Sequence, residues 1–289
     1  MEYLIYSDVS LDIDREFARE HDIRFVPMEY IVGEEVCRCT EIQSDEAMHS
    51  YYEKLRRKQE TKTSQITPVH YIECFEPLVK EGKSLIYLCL SSGLSNTYSS
   101  ASLAVSELKD RYEDVQIEVV DTLGATGGMG LLAELAAKNR QSGMSLSENA
   151  EDLRTHALDI QYWFKVEDLM YLLRGGRVSA ATAIMGTALN IKPILTIKRD
   201  GKLDTIDKKR GNKQAMKSLI SHFEATFRPE LGSTVYICCA DCMKEAESLK
   251  ENLLSLHPGL EVRVTMLSPI IGAHTGPDML SLIHFGKDR

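Results

Sequence analysis

The chain has 289 residues, of which 43% are hydrophobic and 27% are charged, and its formal net charge at pH 7 is −9. This composition indicates a globular protein, and the acidic balance argues against nucleic acid as a partner, because phosphates need a basic surface. No apolar run approaches the roughly 18 residues that a membrane helix needs, and the start, MEYLIYSD, lacks the pattern of a signal peptide. We therefore expect a cytoplasmic location.

Short apolar segments predict buried strands along the whole chain. They are YLIYSD from Tyr3, SLIYLCL from Ser84, IEVVD from Ile117, PILTI from Pro193, TVYICCA from Thr234 and EVRVTML from Glu261. Helical patterns lie between most of them: SDEAMHSYYEKLRRKQ, TGGMGLLAELAAKNRQ, NKQAMKSLISHFEATF and CMKEAESLKENLLSLH. Strands that alternate with helices of about 10–16 residues predict βαβ units and a mostly parallel sheet.

These units are too many for one small sheet, so the sequence predicts two α/β lobes, residues 1–160 and residues 161–289. The stretch from Asp159 to Val178 is the predicted junction, where strand-like YWFKV passes into a short helix that Gly175 and Gly176 end. The segment IKRDGKLDTIDKKRG predicts a hairpin that turns at Asp200-Gly201.

The chain has seven cysteines, and five of them form two clusters, CRC (Cys37, Cys39) and CCADC (Cys238, Cys239, Cys242). The count is odd and no secretion signal is visible, so we expect reduced thiols. Zinc sites usually combine two paired motifs to reach four ligands, so we predict buried core residues and no metal site.

Ligands of open α/β sheets bind beyond the carboxyl ends of strands, which directs attention to the loops. The loop ETKTSQITP contains Thr63 and Ser64. Thr67 and Pro68 suit the first positions of a helix, but this interpretation gives no structural role to the hydroxyls of Thr63 and Ser64. In LSSGLSNT, Ser95 and its neighbouring serines are either an anion-binding group at a helix N-terminus or a plain N-cap.

Two further loops carry cationic or imidazole side chains. In LLRGGRVS, Arg174 and Arg177 flank two glycines, and they either bind an anion or complete a helix C-terminus. In SPIIGAHTGPDM, His274 and Thr275 lie beside glycines in a predicted loop, where the histidine is either structural or functional.

The same residues support two hypotheses of different classes. In the first, GLSNT nearly matches the G-x-S-x-G turn of serine hydrolases, with Ser95 as nucleophile, His274 as base and Asp241 or Asp278 as orienting acid. Thr97 replaces the last glycine of that motif, which argues against it. In the second, Thr63, Ser95 and His274 hydrogen-bond a carboxylate whose tail is buried between the lobes.

The chain resembles the DegV family of bacterial fatty-acid-binding proteins along almost its full length. The segments that carry the resemblance are KTSQITP, SSGLSNTYSSA, VVDTLGATGGMGLL, YLLRGGRVSAATAIMGTALNIKPIL and IIGAHTGPDML, in the order that the family has them. Departures from the family pattern are Val9, Ile66, Asn96, Thr126 and Asp278. They affect the expected tunnel shape and chain preference, while the residues that match the family's carboxylate-binding positions are retained.

The resemblance implies two α/β lobes, each a mainly parallel sheet flanked by helices. One long-chain fatty acid would lie in a tunnel between them. In this arrangement the last ~15 residues of the chain could pack on the first lobe. Thr63, Ser95 and His274 would hold the carboxylate of the fatty acid. The implied supporting residues are Ser64, Ser92, Gly93, Arg174 and Thr275.

The resemblance also implies that the protein is not itself an enzyme. It would present the bound acid to a separate ATP-dependent kinase that forms an acyl phosphate for phospholipid synthesis. We expect no cofactor, allow transient contact with a membrane, and place the kinase-facing surface around Arg177, Lys198 and Arg199.

Overall fold

The computed structural model describes residues 3–179, 190–287 and 289. Its strands are β1 (Leu4–Asp8), β2 (Ile23–Val26), β3 (Met28–Val32), β4 (Glu35–Cys39), β5 (Thr61–Thr63), β6 (Leu85–Cys89), β7 (Ile117–Asp121), β8 (Ile160–Lys165), β9 (Ile191–Ile197), β10 (Leu203–Arg210), β11 (Thr234–Cys239), β12 (Glu261–Met266) and β13 (Leu280–Phe285). All six strands predicted from apolar runs are confirmed.

The described helices lie between and around these strands. They are α1 (Arg15–Glu20), α2 (Asp45–Arg56), α3 (Pro68–Lys80), α4 (Thr97–Arg111), α5 (Gly127–Gln141), α6 (Leu146–His156), α7 (Met170–Arg174), α8 (Asn212–Thr226), α9 (Met243–Leu256) and α10 (Pro269–Thr275). The four predicted helical patterns correspond to α2, α5, α8 and α9. Helix α3 begins as predicted, since Thr67 is its N-cap and Pro68 its first residue.

The first sheet has four parallel strands in the order β2-β1-β6-β7. All five residues of β6 are buried, as expected for a strand covered on both faces. Because the strands run in the same direction, the loops that follow Asp8, Cys89 and Asp121 emerge at one edge. The Ser91–Thr97 segment therefore lies at the carboxyl edge of this sheet.

The second sheet has six strands in the order β10-β9-β8-β13-β11-β12. Strands β11 and β12 pair in parallel, and the other four pairings are antiparallel. The predicted mixed α/β class is confirmed, but the expectation of mainly parallel pairing is wrong for this sheet. The predicted hairpin at Asp200-Gly201 makes β9 and β10 antiparallel, and β13 lies at the centre, opposed to both of its neighbours.

A third, small antiparallel sheet has the order β4-β3-β5. None of its strands was predicted from the sequence. Its last strand ends at Thr63, which pairs with Tyr30. The small sheet therefore fixes the position of the first predicted site residue.

Helix α5 lies between the two large sheets. It contacts β1 and β6 on one side and β8, β11 and β13 on the other, and most of its residues are buried. Helix α10 contacts α2, β3 and β5, which precede the predicted lobe boundary, whereas β13 after it belongs to the second sheet. The boundary at residues 160 and 161 stays a prediction.

The loop after β6 touches the β9–β10 hairpin directly. Ser91 Oγ donates to Gly201 O at 2.9 Å and accepts from Gly93 N at 3.1 Å. A Cβ at Gly93 would lie 2.5 Å from the carbonyl carbon of Gly201, so the two backbones approach closely there, with the Ser91 hydroxyl bridging them. We call this contact the glycine clasp.

Among the residues that the structure describes, none of the helices combines the length and apolarity needed to cross a bilayer.

Candidate functional site

A cavity of about 180 Å³ lies between the two large sheets. Most of its wall is apolar and comes from strands of the second sheet, from β3 of the small sheet, from the loops that follow β6 and β7 of the first sheet, and from α7 and α10. These residues are Met28, Leu90, Leu94, Ala125, Tyr162, Phe164, Leu172, Ile197, Leu203, Ile270, Ile271, Met279 and Ile283. Polar side chains complete the wall: Thr63, Ser64, Gln65, Ser95, Asn96, Thr126, Arg177, His274, Thr275 and Ser281. The three residues predicted to hold a carboxylate therefore all line one cavity.

Thr63 and His274 are in direct contact at this cavity. Thr63 Oγ1 lies 2.9 Å from His274 Nε2. The other ring nitrogen, Nδ1, is buried without a hydrogen-bond partner among the described residues and lies against Gly175, where a Cβ would be 2.3 Å away. A proton on Nδ1 would find no acceptor, so we assign the proton to Nε2, and Thr63 Oγ1 then accepts it. The Thr63 hydroxyl proton is thereby left to donate elsewhere.

The structure corrects the predicted setting of His274. This residue lies on helix α10 rather than in a loop, because Pro269 occupies a first-turn position after the N-cap Ser268. Burial, and secondarily the positive charge of Arg177, lowers the pKa of His274 from 6.5 to about 4. The imidazole is therefore neutral at neutral pH.

Ser95 lies where the loop after β6 enters α4. Its Oγ is 2.6 Å from Thr97 Oγ1 and accepts from Thr97 N at 3.3 Å. The N-cap residue of α4 is Asn96, whose side chain makes no capping bond. The prediction of a plain serine N-cap is thus wrong in detail. If the buried Thr97 hydroxyl donates to Ser95, the Ser95 proton is free to point into the cavity.

Arg177 contributes the positive charge of the cavity wall. It is half-buried, its Nε donates to Leu94 O at 3.0 Å, and its Nη1 donates to Gly175 O. Among the described residues no carboxylate forms an ion pair with it, and burial lowers its pKa. Its side chain lines the cavity, and the expected partner-facing role of Arg177 stays a prediction.

The five supporting residues divide into two groups. Ser64 and Thr275 line the cavity, although the Thr275 hydroxyl bonds to Ile271 O of its own helix at 3.3 Å. Arg174 is exposed and stacks on the Tyr171 ring at 4.7 Å. Ser92 is exposed, and Gly93 belongs to the glycine clasp. These last three are not among the described residues that line the cavity.

A second cleft of about 420 Å³ adjoins the polar end of the cavity. The two spaces share three wall residues, Thr63, Arg177 and His274. The second cleft is otherwise lined by Gln59, Glu60, Thr61, Lys62, Tyr171, Arg174, Gly175 and Ala273. One layer of side chains therefore separates the polar end of the cavity from a more polar outer cleft.

Among the described residues, Ser95, His274 and the two candidate acids do not form a serine-hydrolase triad. Ser95 pairs with Thr97 rather than with His274. Both candidate acids instead bind Arg56: Asp241 through Nη1, and Asp278 through Nη2 at 2.7 Å. A hydrolase needs the nucleophile, the base and the acid in one hydrogen-bonded chain.

Asp241 also approaches His49 and Glu53, and ligand atoms of these three residues lie within 4.8 Å of one another. The guanidinium of Arg56 bonds to both Asp241 and Glu53. The positively charged side chain of Arg56 already binds this cluster and would repel a metal ion there.

Comparison with known proteins agrees with this architecture. Residues 3–287 match the family model described as "Uncharacterised protein, DegV family". The chain belongs to the DegV family. Two DegV domain-containing proteins are similar to it over almost their full lengths: one from Clostridium perfringens is 32% identical (99% of this chain, 98% of that one), and one from Streptococcus pyogenes is 34% identical (100% and 99%).

Solved structures of the DegV family have the same fold. A DegV lipid binding protein from Thermotoga maritima superposes with a TM-score of 0.84 at 27% identity, covering 100% of both chains. A DegV family protein from Thermus thermophilus, described by its fatty acid binding, gives 0.84 at 27% identity over 99% and 100%. DegV from Bacillus subtilis, described as a fatty acid binding protein, gives 0.84 at 26% over 99% and 100%.

Sequence reasoning left five polar residues of the cavity wall out of the predicted site, Gln65, Asn96, Thr126, Arg177 and Ser281, and it missed nearly all of the apolar wall. Arg177 belonged to a recognised motif, but only the fold shows that its side chain turns inward. The apolar wall residues give no local signal, because a buried leucine looks the same whether it faces a cavity or the core. The part of that motif at residues 180–189 lies outside the described residues.

Proposed function

We propose that this protein binds one long-chain fatty acid in the cavity between its two large sheets. The carboxylate accepts hydrogen bonds from Thr63 and Ser95, His274 orients the Thr63 hydroxyl, and the acyl chain lies along the apolar wall. The observation that carries the proposal is the Thr63–His274 contact of 2.9 Å at the polar end of an otherwise apolar cavity.

The distribution of protons supports a carboxylate as the group bound there. With His274 donating to Thr63 and Thr97 donating to Ser95, both Thr63 and Ser95 retain a free hydroxyl proton. A carboxylate accepts hydrogen bonds and donates none, so it complements two such donors. Hydrogen bonds to a charged group contribute about 1.5–3 kcal/mol.

Two positive features favour the ionised form of the acid. Arg177 lines the same cavity and has no carboxylate partner among the described residues. Helix α4 begins next to Ser95, so the positive end of its dipole faces this part of the cavity. An anion at this end would meet both.

The apolar wall suits the remainder of a fatty acid. Each methylene group buried against side chains such as Phe164, Ile197 and Ile283 contributes about 0.8 kcal/mol. The relatives from Thermus thermophilus and Bacillus subtilis are described as fatty acid binding, which agrees with this choice of ligand.

The proposal extends to a partner. An ATP-dependent kinase would phosphorylate the bound carboxylate to an acyl phosphate, and this chain would present the acid in the cytoplasm without acting as the catalyst. The outer cleft supports this role, because Thr63, Arg177 and His274 separate it from the polar end of the cavity by a single layer.

The first experiment is extraction of the purified protein under denaturing conditions, with mass spectrometry of the organic phase and native mass spectrometry of the protein. We expect about one fatty acid per chain in wild type and a large loss in Ser95→Ala. Ser99→Ala is the matched control, since Ser99 is exposed on α4.

Equal fatty acid content in wild type and Ser95→Ala would remove the carboxylate role of Ser95. An empty wild-type protein that cleaves an ester in a Ser95-dependent reaction would favour the hydrolase hypothesis instead. Partnering is tested separately, by adding ATP and a bacterial fatty acid kinase protein to the loaded chain and measuring acyl phosphate with hydroxylamine. No product with any kinase protein of the source cell would contradict that part.

A further inference from the structure

Tyr51 of helix α2 contacts both elements that carry the Thr63–His274 pair. Its hydroxyl donates to Pro269 O, in the first turn of α10, at 3.2 Å. The same hydroxyl oxygen lies 3.1 Å from Thr61 Oγ1 on strand β5. The Tyr51 side chain is buried, and it is not among the described residues that line the cavity. Its hydroxyl therefore connects two elements of the site without touching the ligand space.

The direction of these two hydrogen bonds follows from the single hydroxyl hydrogen of tyrosine. Pro269 O can only accept, so the Tyr51 hydrogen is used there. The Thr61 hydroxyl must then donate to Tyr51 Oη. We call this chain from Thr61 through Tyr51 to Pro269 the tyrosine bridge. One hydroxyl serves as acceptor for β5 and as donor to α10.

The β5 end of the tyrosine bridge is close to Thr63. Thr61 and Thr63 are alternate residues of a short strand, so their side chains point to the same face of the small sheet. Tyr30 is opposite Thr63 in the register of β3 and β5. The rings of Tyr30 and Tyr51 meet edge to face with their centroids 5.3 Å apart. Tyr51 thus contacts Thr63's own strand and the residue that pairs with Thr63.

The neighbouring contacts of the segment before α10 differ from the tyrosine bridge. Tyr52, next to Tyr51 on α2, donates its hydroxyl to Leu267 O at 3.0 Å. Asp12 Oδ1 accepts from Ser268 N at 2.7 Å. Within the described part of the chain, neither Tyr52 nor Asp12 hydrogen-bonds to β5. These two side chains hold the segment before α10, whereas Tyr51 also ties it to the strand of Thr63.

We propose that Tyr51 is a positioning residue for the carboxylate site. The tyrosine bridge fixes β5 against α10, and this keeps Thr63 Oγ1 within 2.9 Å of His274 Nε2. His274 orients the Thr63 hydroxyl, so a shift of either element lets that hydroxyl turn away from the carboxylate. This inference rests on the proposed function, because it assigns Tyr51 a role in binding the head group and none in binding the acyl chain.

The test compares two ligands with the same acyl chain, palmitic acid and its methyl ester. Their affinities for the delipidated full chain are measured by equilibrium dialysis with radiolabelled ligands. Wild type binds the acid more tightly than the ester. Tyr51→Phe keeps the ring that packs on Tyr30 but removes the tyrosine bridge, so affinity for the acid falls about tenfold while affinity for the ester stays close to wild type.

Tyr52→Phe is the matched control. It removes a buried hydroxyl of the same helix that also bonds a main-chain carbonyl, and it keeps the wild-type ratio of acid to ester affinity. Urea denaturation of both variants reports the change in stability separately from this ratio. Thr61→Val removes the tyrosine bridge from its other end and lowers the ratio as Tyr51→Phe does, and the double variant adds no further loss.

The outcomes separate this inference from the proposed function. A wild-type preference for the acid that persists in Tyr51→Phe and Thr61→Val overturns the inference and leaves the proposed function in place. An equal loss of preference in Tyr52→Phe also overturns it, because the effect then comes from α2 as a whole. Wild type that binds acid and ester equally contradicts the carboxylate site and this inference together.

Discussion

Two arginines three positions apart have different environments. Arg177 lines the cavity and donates to Leu94 O, whereas Arg174 stacks on Tyr171 and is exposed. We expect Arg177→Met to weaken fatty acid binding by about 1–3 kcal/mol, because a half-buried charge close to the carboxylate is lost. Arg174→Met should change affinity much less.

Displacement of a fluorescent fatty acid measures both affinities. Equal losses in the two variants would mean that the carboxylate lies nearer the outer cleft than we propose. An unchanged Arg177→Met protein would return Arg177 to the partner-facing role that the sequence suggested.

A substitution of Thr63 tests whether the carboxylate is bound by specific hydrogen bonds or only by a polar pocket. Thr63→Val keeps the shape of the side chain and removes both the acceptor for His274 and the free donor. We expect binding to weaken by about 1–3 kcal/mol, with calorimetric titration as the measurement. Thr155→Val, on α6 and exposed, is the control; an equal loss there would discount the result.

At the scale of elements, the sequence revealed strands buried on both faces and amphipathic helices. An apolar run as short as LIYLC in β6 favours a buried strand, and Met48, Tyr52 and Leu55 of α2 are buried as their spacing predicts. The half-exposed strands of the small sheet and the seven-residue helix α10 lack comparable periodicity, so they were missed.

Strand pairing was less predictable than strand existence. The residues of β13 are all buried, but nothing local says that this strand enters the second sheet between β8 and β11. That choice depends on contacts between residues distant in sequence. For the site, the motifs brought Thr63, Ser95 and His274 to attention, while the inward direction of Arg177 required the fold.

The glycine clasp gives a prediction for the elements that it joins. Gly93→Ala places a Cβ against the backbone of Gly201, so the hairpin or the loop after β6 must shift. We expect the free energy of unfolding to fall by about 1–3 kcal/mol, measured by urea denaturation. Gly259→Ala, which meets no atom within 4 Å, should stay close to wild type. An unaltered Gly93→Ala protein would mean that the contact is not tight.

At the scale of the whole molecule, acid stability depends on His284, which is fully buried in β13. Its Nδ1 lies 2.9 Å from Phe285 O and its Nε2 accepts from Trp163 Nε1 at 3.2 Å, so only the neutral ring fits. Burial lowers its pKa from 6.5 to about 4. Between these pH values the unfolded chain binds a proton that the folded protein does not.

Stability from this group is therefore fully present above about pH 6.5 and is lost as the pH falls towards 4. The loss amounts to about 3 kcal/mol for a pKa difference of this size. Urea denaturation across this range should show that wild type loses stability relative to His284→Gln, whose amide oxygen still accepts from Trp163. Parallel curves for the two proteins would contradict the prediction.

The glycine clasp also bears on how selectivity for chain length could be altered, by evolution or by design. Gly93 and Gly201 join the loop after β6 to the β9–β10 hairpin, and the small Ser91 side chain bridges them, which leaves no space for a larger side chain there. A library aimed at shorter or bulkier lipids should therefore leave the clasp intact and vary wall residues such as Met28, Phe164 and Leu203.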